Sequence, residues 1–173
     1  AAVNEAQFLN AGNLQIGFSG SGSGGPVTVS GGARFRGVGY LAFVAPQVST
    51  AAGSTVSLGD IGTAAYAAVD SYEITFLPAN QDLTFFTFVV PSAAAGTPHA
   101  TPLNLAGATT AANTYLMAIS RQAVTSLLIN APGLLTGQSS NSAYGQVTIS
   151  TGRNIVNGQI GPAANQISGA IGG

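Results

Sequence analysis

The sequence predicts an all-β fold: a single-domain antiparallel β-sandwich or jelly roll with a protruding N-terminal arm. About nine short apolar or alternating segments are separated by Gly-, Pro- and Asn-containing turns. No long helical pattern occurs among the 173 residues. No internal repeat of fixed period is evident, which disfavours a β-solenoid. We therefore divide the chain into an arm over residues 1–12 and a β-sandwich domain over residues 13–173.

A hairpin over residues 72–90 is predicted to form the centre of the core. Its first strand, 72–77, alternates apolar and polar side chains, and its second, 83–90, is β-branched or aromatic almost throughout. Pro78, Asn80 and Asp82 lie between them, which is typical of a turn. The predicted core residues are Ile74, Phe76, Phe85 or Phe86, Phe88, Leu116 and Ile119.

The other elements follow from alternation and turn residues. Residues 35–44 are predicted to form one long strand, with Gly37 and Gly39 marking a bulge. Residues 64–69 suit a helical turn or the lead-in to the hairpin. The Ala-, Thr- and Pro-rich stretch over 91–113 is predicted to be a surface connection between sheets. Further strands are predicted around 14–18, 27–29, 55–58, 115–119, 124–129 and 144–149.

Charged residues are scarce, which limits the classes of partner. They make up 5% of the chain, and the net charge is −1, whereas about 25% is usual. So weak a field argues against binding of nucleic acid, and near-zero net charge favours self-association. The hydrophobic content of 46% argues against disorder. No run of about 18 apolar residues occurs, so no membrane-spanning segment is predicted.

The residue types needed for catalysis are sparse. Cysteine is absent, which excludes disulfides and thiolate-bound zinc. The single histidine, His99, lies in a loop-like stretch, and no serine has a Gly-X-Ser-X-Gly setting, so a catalytic triad is not expected. The Gly/Ser run over 19–25 leads into a strand, whereas a phosphate-binding loop needs a helix there. We predict no enzymatic activity and no cofactor.

Four carboxylates lie within a short stretch: Asp60, Asp70, Glu73 and Asp82. Clustered carboxylates can bind calcium or act as a glycosidase pair. Their spacing is not that of an EF-hand loop, and turn capping by the aspartates beside a surface glutamate is the favoured interpretation. No metal site is predicted, and calcium binding is the alternative.

Two of the four arginines, Arg34 and Arg36, are predicted to share one face of a strand with Phe35 on the other. The pair forms either an anion-binding patch or the partner of Glu5 or an aspartate. The residue pattern does not distinguish these two interpretations.

A resemblance to a known family lies near the N-terminus, in the stretch Phe8-Leu9-Asn10-Ala11-Gly12-Asn13-Leu14-Gln15-Ile16. It resembles the start of mature TasA/camelysin-like secreted fibre proteins, in which an aromatic residue is followed by Ala-Gly-Thr-Leu-Asp-Leu. Here Asn13 and Gln15 replace the Thr and Asp, and one residue is added before Ala11. In overall character the chain is similar to archaeal bundling-pilus subunits of that kind. The resemblance implies a jelly-roll filament subunit that joins its neighbours by donor-strand exchange.

The resulting hypothesis is a structural subunit of an extracellular filament, a pilus or a biofilm-matrix fibre. Val3, Phe8 and Leu9 are the candidate donor-strand residues, because they are the largest apolar groups before Gly12. The start Ala1-Ala2-Val3 is typical of a secreted protein after removal of its signal peptide. The expected partners are further copies of the chain, and lateral bundling of filaments is left open. The alternatives are a viral capsid jelly roll and a secreted carbohydrate-binding module.

Overall fold

The all-β prediction is confirmed for the part of the chain that the structure describes, but the antiparallel sandwich is wrong. Three of the four sheets consist of parallel strands. The computed structural model describes residues 2–3, 16–21, 25–37, 39–69, 71–76, 86–89, 103–118, 127–137, 146–150, 155–156, 159–160 and 170–172.

The strands of the three parallel sheets alternate along the chain, each strand passing to the next sheet. The first sheet contains β3 (Val27–Val29), β6 (Val48–Thr50), β11 (Leu103–Leu105), β14 (Leu127–Asn130) and β19 (Ala170–Gly172). The second contains β4 (Arg34–Arg36), β7 (Thr55–Ser57), β12 (Ala108–Ala111) and β15 (Leu135–Gly137). The third contains β5 (Tyr40–Ala45), β8 (Thr63–Ala68), β13 (Asn113–Ala118) and β16 (Gln146–Ser150).

This arrangement is a parallel β-solenoid of four coils. Coil 1 is β3–β4–β5, coil 2 is β6–β7–β8, coil 3 is β11–β12–β13 and coil 4 is β14–β15–β16. Within each sheet the strands follow in coil order, and β19 adds a fifth strand to the first sheet alone. A strand thus meets its partner only after the chain has passed through the other two sheets, which supplies the long connection that parallel pairing requires.

The core of the solenoid lies where the inner faces of the three sheets meet. A single cluster contains Val48 and Leu103 of the first sheet, Val56 of the second, and Tyr66 and Leu116 of the third. Leu103 is 0% exposed and Leu116 is 1% exposed, so the prediction that Leu116 lies in the core is confirmed. Burial of each such large side chain is worth about 1.5–3 kcal/mol.

The corners between the first and second sheets are made by glycine-containing turns. Between the first and second sheets, Gly32 and Gly53 have φ values of 83° and 84°, a conformation that costs glycine little. The two turns stack, and the Gly32 N–H donates to the Gly53 carbonyl at 3.3 Å. Such turns redirect the chain into a new sheet and do not return it beside the strand it has left. Sequence patterns that suit a hairpin therefore produce a corner here.

The predicted strand over 35–44 divides at one of these corners. The structure separates β4 from β5, and Gly39 between them has a φ of 112°. Residues 64–68 lie in the buried strand β8, and not in a helical turn. The predicted surface connection over 91–113 contains β11 and β12, whose alternate residues Leu103, Leu105, Thr109 and Ala111 are buried. Residues from a stretch whose composition indicated a surface loop therefore line the interior.

The third sheet is covered on both faces. Every residue of β8 and β13 is buried, whereas β7 alternates between its inner and outer face. A second apolar cluster, on the outer face of the third sheet, comprises Ala65, Ala67, Val69, Tyr115 and Met117. Strands buried on both faces lose the alternation of polar and apolar residues, which is why 64–69 carries no clear strand pattern.

The fourth sheet is antiparallel and holds the predicted hairpin. Its strands, in spatial order, are β1 (Ala2–Val3), β2 (Ile16–Ser21), β9 (Ser71–Phe76), β10 (Phe86–Val89), β17 (Ile155–Val156) and β18 (Gln159–Ile160). The antiparallel pairing of β9 with β10 is confirmed, with Phe76 opposite Phe86. The side chains of Ile74, Phe76, Phe86 and Phe88, together with Phe85 and Ile119, lie outside the described part, so their predicted burial stays a prediction.

Among the described residues, no helix has both the length and the apolarity that crossing a membrane requires.

Candidate functional site: the two ends of the solenoid

The residues predicted to act as a donor strand are only partly described. Val3 lies in β1, which pairs antiparallel with β2 of the same chain, and its partner is Phe18. Phe8 and Leu9 lie outside the described residues. The pairing corresponds to the arm completing a sheet of its own chain, while exchange with a neighbour stays a prediction.

The predicted polar sites are not brought together in the described residues. Asp60 lies in an exposed turn between β7 and β8. Glu73 lies in β9 opposite Val89, and Asp70, Asp82 and His99 are outside the described part. Among the residues that the structure describes, no group of three or more acidic, histidine or cysteine side chains is placed to hold a metal ion.

Arg34 and Arg36 share the outer face of β4, as predicted. Both are exposed, while Phe35 between them packs against the core. The outer face continues from Arg36 through Ser57 and Thr110 to Thr136, and the Thr136 hydroxyl donates to the Thr110 hydroxyl at 3.3 Å. The outer face of the second sheet therefore carries a row of polar side chains that runs the length of the solenoid.

The interior contains a buried hydroxyl pair. The Tyr66 hydroxyl and the Thr109 hydroxyl are 2.6 Å apart, across the space between the third and second sheets. Burial raises the pKa of Tyr66 above its ordinary value of 10.0, partly opposed by the hydrogen bond from Thr109. The pair links two sheets through a polar contact between side chains that both face the interior.

In the third sheet, the inward-facing side chains of coil 4 are exposed to solvent. In the ladders of the third sheet, Val147 follows Thr114, and Ile149 follows Leu116. Leu116 is 1% exposed, but Val147 and Ile149 are 40% and 37% exposed. Paired residues of a parallel ladder point to the same side of the sheet, so Val147 and Ile149 continue the inward-facing rows, and the described residues place no further coil above them. We call β15, β16 and these two side chains the open end.

Coil 1 forms the opposite end. Its inward-facing residues Val27, Phe35, Leu41 and Phe43 are half-buried and pack against the core. The rings of Phe35 and Phe43 make an edge-to-face contact at 5.4 Å, and Phe43 stacks on Tyr66 at 5.6 Å. β3, β4 and β5 are the terminal strands of their sheets, so one edge of each strand is unpaired within the described sheets.

The signal for this architecture is present in the sequence at a spacing of 21 residues. Thr28 pairs with Ser49, which follows it by 21 positions, and Arg34 pairs with Thr55 at the same spacing. In the same two sheets, coils 3 and 4 are related by 26 residues. The third sheet departs from both spacings: Tyr40 pairs with Thr63, 23 positions on, and Asn113 pairs with Gln146, 33 positions on. In addition, β9 and β10 interrupt the chain between coils 2 and 3. The period therefore changes along the chain, which is why no fixed repeat is evident.

Comparison with protein families, with curated proteins and with solved structures finds no match to this chain.

Proposed function

We propose that this chain is a structural subunit of an extracellular filament, a pilus or biofilm-matrix fibre, whose body is the solenoid. The observation that supports this proposal is the pair of ends just described. Within the described sheets, coil 1 presents the unpaired edges of its three strands, coil 4 presents those of β15 and β16, and both ends carry inward-facing apolar side chains. A stacked repeat is stabilised mainly by its neighbours, so its two end coils gain most from an additional neighbour.

Composition supports the same function. Unpaired strand edges promote association unless charge or a covering element prevents it, and only 5% of these residues are charged. Head-to-tail contacts between unlike surfaces produce open filaments, because the arrangement does not close on itself. The proposal assigns no enzymatic activity, metal or cofactor to the chain. Its extracellular location rests on the cysteine-free, uncharged polar composition.

The alternative functions have less support from this fold. A viral capsid protein was suggested by the jelly roll, which the parallel sheets replace. A carbohydrate-binding module usually presents exposed aromatic rings to a sugar. Of the tyrosines whose side chains are described, Tyr66 and Tyr115 are buried, while Tyr40 and Tyr72 are half-buried.

Fibre diffraction from oriented filaments tests the proposal. If solenoids stack along the filament, the strands lie perpendicular to its axis. A meridional reflection at about 4.8 Å, the spacing between neighbouring strands, is then expected. Negative-stain images of the purified protein should show unbranched filaments at the concentrations used for diffraction. Particles that remain monomeric at every concentration, or that form closed shells, would contradict the filament.

Donor-strand exchange through Val3, Phe8 and Leu9 is the alternative joint for the same filament. Because Val3 pairs with Phe18 of its own chain, exchange requires this short pairing to open first. Deletion of residues 1–11 separates the two joints. Filaments that form normally without the arm would contradict donor-strand exchange and leave the filament itself in place.

A further inference from the structure

We propose that the open end of one subunit is continued by coil 1 of a second copy, and that β3 of the second copy takes the place of β19. This inference rests on the proposed filament and specifies its joint. The occupant is a second copy because the two ends of one chain complement each other, residue by residue, along ladders that the structure already contains.

The inward rows of the third sheet show the first part of the match. One row runs Leu41, Ala64, Thr114 and Val147, and the other runs Phe43, Tyr66, Leu116 and Ile149. If a second copy follows in the same register, its Leu41 lies beside Val147 and its Phe43 beside Ile149. The exposed apolar side chains at one end thus cover the half-buried apolar side chains at the other.

The second sheet matches in the same way. Its inward row runs Phe35, Val56, Thr109 and Leu135, so Phe35 of a second copy lies beside Leu135. On its outer face, Arg36 of the second copy lies beside Thr136. A cation therefore meets a hydroxyl, and no pair of like charges is brought together on this face.

In the first sheet, the edge of β14 that would pair with the second copy is already paired with β19. That pairing is irregular: Leu127 is opposite Ala170, Ile129 is opposite Ile171, and the register shifts between them. β19 reads Ala-Ile-Gly, and both alanine and glycine are weak strand formers. β3 reads Val-Thr-Val and pairs with β6 without a shift. In the β19 position, β3 places Val27 on Ile129 and restores the inward row Val27, Val48, Leu103 and Ile129.

Cysteine crosslinking tests the joint directly, because the chain has no cysteine of its own. A protein carrying both Arg36→Cys and Thr136→Cys brings the two thiols together only between copies. Adjacent strands are about 4.8 Å apart, within the Cα separation that a disulfide spans. Mild oxidation of filaments should then produce a covalent ladder of dimers, trimers and longer chains on a non-reducing gel.

A second pair tests the replacement of β19. Thr28 pairs with Ser49, Ser49 with Asn104, and Asn104 with Asn130. Thr28→Cys with Asn130→Cys is therefore expected to crosslink between copies only when β3 occupies the β19 position. If β19 stays in place, the thiols are two strand spacings apart, about 9.6 Å, which is too far for a disulfide. Thr28→Cys with Thr136→Cys, on two different sheets, is the matched control and should not crosslink.

Deletion of residues 170–173 removes the competing strand. We expect the concentration needed for self-association to fall by about tenfold, the change that corresponds to about 1.4 kcal/mol at each joint. Val147→Asp, which places a carboxylate at the open end, should raise it by at least the same factor. Circular dichroism of the monomer at low concentration checks that each variant is folded.

The outcomes separate this inference from the proposed function. Covalent ladders from both test pairs, but not from the control pair, support the joint. Filaments that form without any crosslink from Arg36→Cys with Thr136→Cys would overturn the inference and leave the filament function standing. Crosslinks from that pair without crosslinks from Thr28→Cys with Asn130→Cys would overturn the replacement of β19. Protein that never self-associates contradicts both, and the open end then belongs to a partner other than this chain.

Discussion

At the scale of single residues, two inward-facing threonines of the solenoid differ: the hydroxyl of one has a hydrogen-bond partner and that of the other does not. The Thr109 hydroxyl contacts Tyr66, whereas Thr114 is 0% exposed and its hydroxyl has no hydrogen-bond partner. A buried polar group without a partner costs about 1–3 kcal/mol. We expect Thr114→Val to raise the free energy of unfolding by about 1–2 kcal/mol.

The matched control for this prediction is Thr109→Val, which removes the partner of the Tyr66 hydroxyl and should lower stability by about 1 kcal/mol. Thermal unfolding of the two variants under identical conditions measures both effects. For a chain of this size, 1 kcal/mol corresponds to a shift of about 2–4 °C in the midpoint. A midpoint for Thr114→Val below that of the unsubstituted protein would show that its hydroxyl is satisfied.

Tyr66 also makes stability depend on pH. Its pKa is raised in the folded protein because burial disfavours the phenolate. Below pH 10 the Tyr66 phenol is neutral in both the folded and the unfolded state, so its contribution to the free energy of unfolding is fully present. Above pH 10 the unfolded chain loses the proton while the folded protein keeps it, so stability falls as pH rises toward the folded pKa. Denaturant unfolding between pH 8 and about 11 measures this loss of stability. The loss should be smaller in Tyr66→Phe, which has no hydroxyl to ionise. Equal losses in the two proteins would contradict the role of Tyr66.

At the scale of elements, the corners depend on how closely successive turns stack. A side chain at Gly107 would collide with the Ser54 hydroxyl, and one at Gly133 would collide with the Gly107 carbonyl. The Gly107 N–H donates to the Thr50 hydroxyl at 3.0 Å, which holds coil 3 against coil 2. The column of small residues at this corner therefore sets the distance between coils.

Gly107→Ala tests that close approach. Overpacking of this kind typically costs about 1–3 kcal/mol, and we expect a loss in that range. Gly37→Ala is the matched control, because its added methyl group would meet no atom within 4 Å and the position does not have a positive φ. Urea denaturation of both variants gives the comparison. Equal stability of the two would show that the turns can separate at little cost.

At the scale of the whole molecule, the scarcity of charge predicts how self-association responds to salt. With a net charge of −1 and only nine charged residues, we expect the contacts between copies to be mainly apolar and main-chain. Sodium chloride screens charges within about 10 Å at 0.1 M, so it has little to weaken here. We expect static light scattering to report an association that changes less than about twofold between 20 and 500 mM sodium chloride. Dissociation on adding salt would indicate a charged interface.

Much of the local structure could be predicted from the sequence. The strands around 27–29, 55–58 and 144–149 are present as β3, β7 and β16, because alternation and β-branched residues act within a few positions. The placement of Arg34 and Arg36 opposite Phe35 followed from the same two-residue period. The antiparallel pairing of β9 with β10 followed from the turn residues between two apolar runs.

The direction of pairing was decided by the tertiary structure. A buried strand has the same pattern whether its partner is the next strand in the chain or the strand one coil later, and a glycine turn suits a hairpin and a corner alike. The open end could not be predicted for the same reason: Val147 and Ile149 alternate like the inward residues of any strand, and only the ladders and exposures of the described residues place them at an end of the solenoid. Composition and local periodicity therefore determined that the chain is poor in charge and that its described part is all-β. Contacts between residues 21 or more positions apart determined the solenoid, because the stacking energy that selects it acts between coils and not within them.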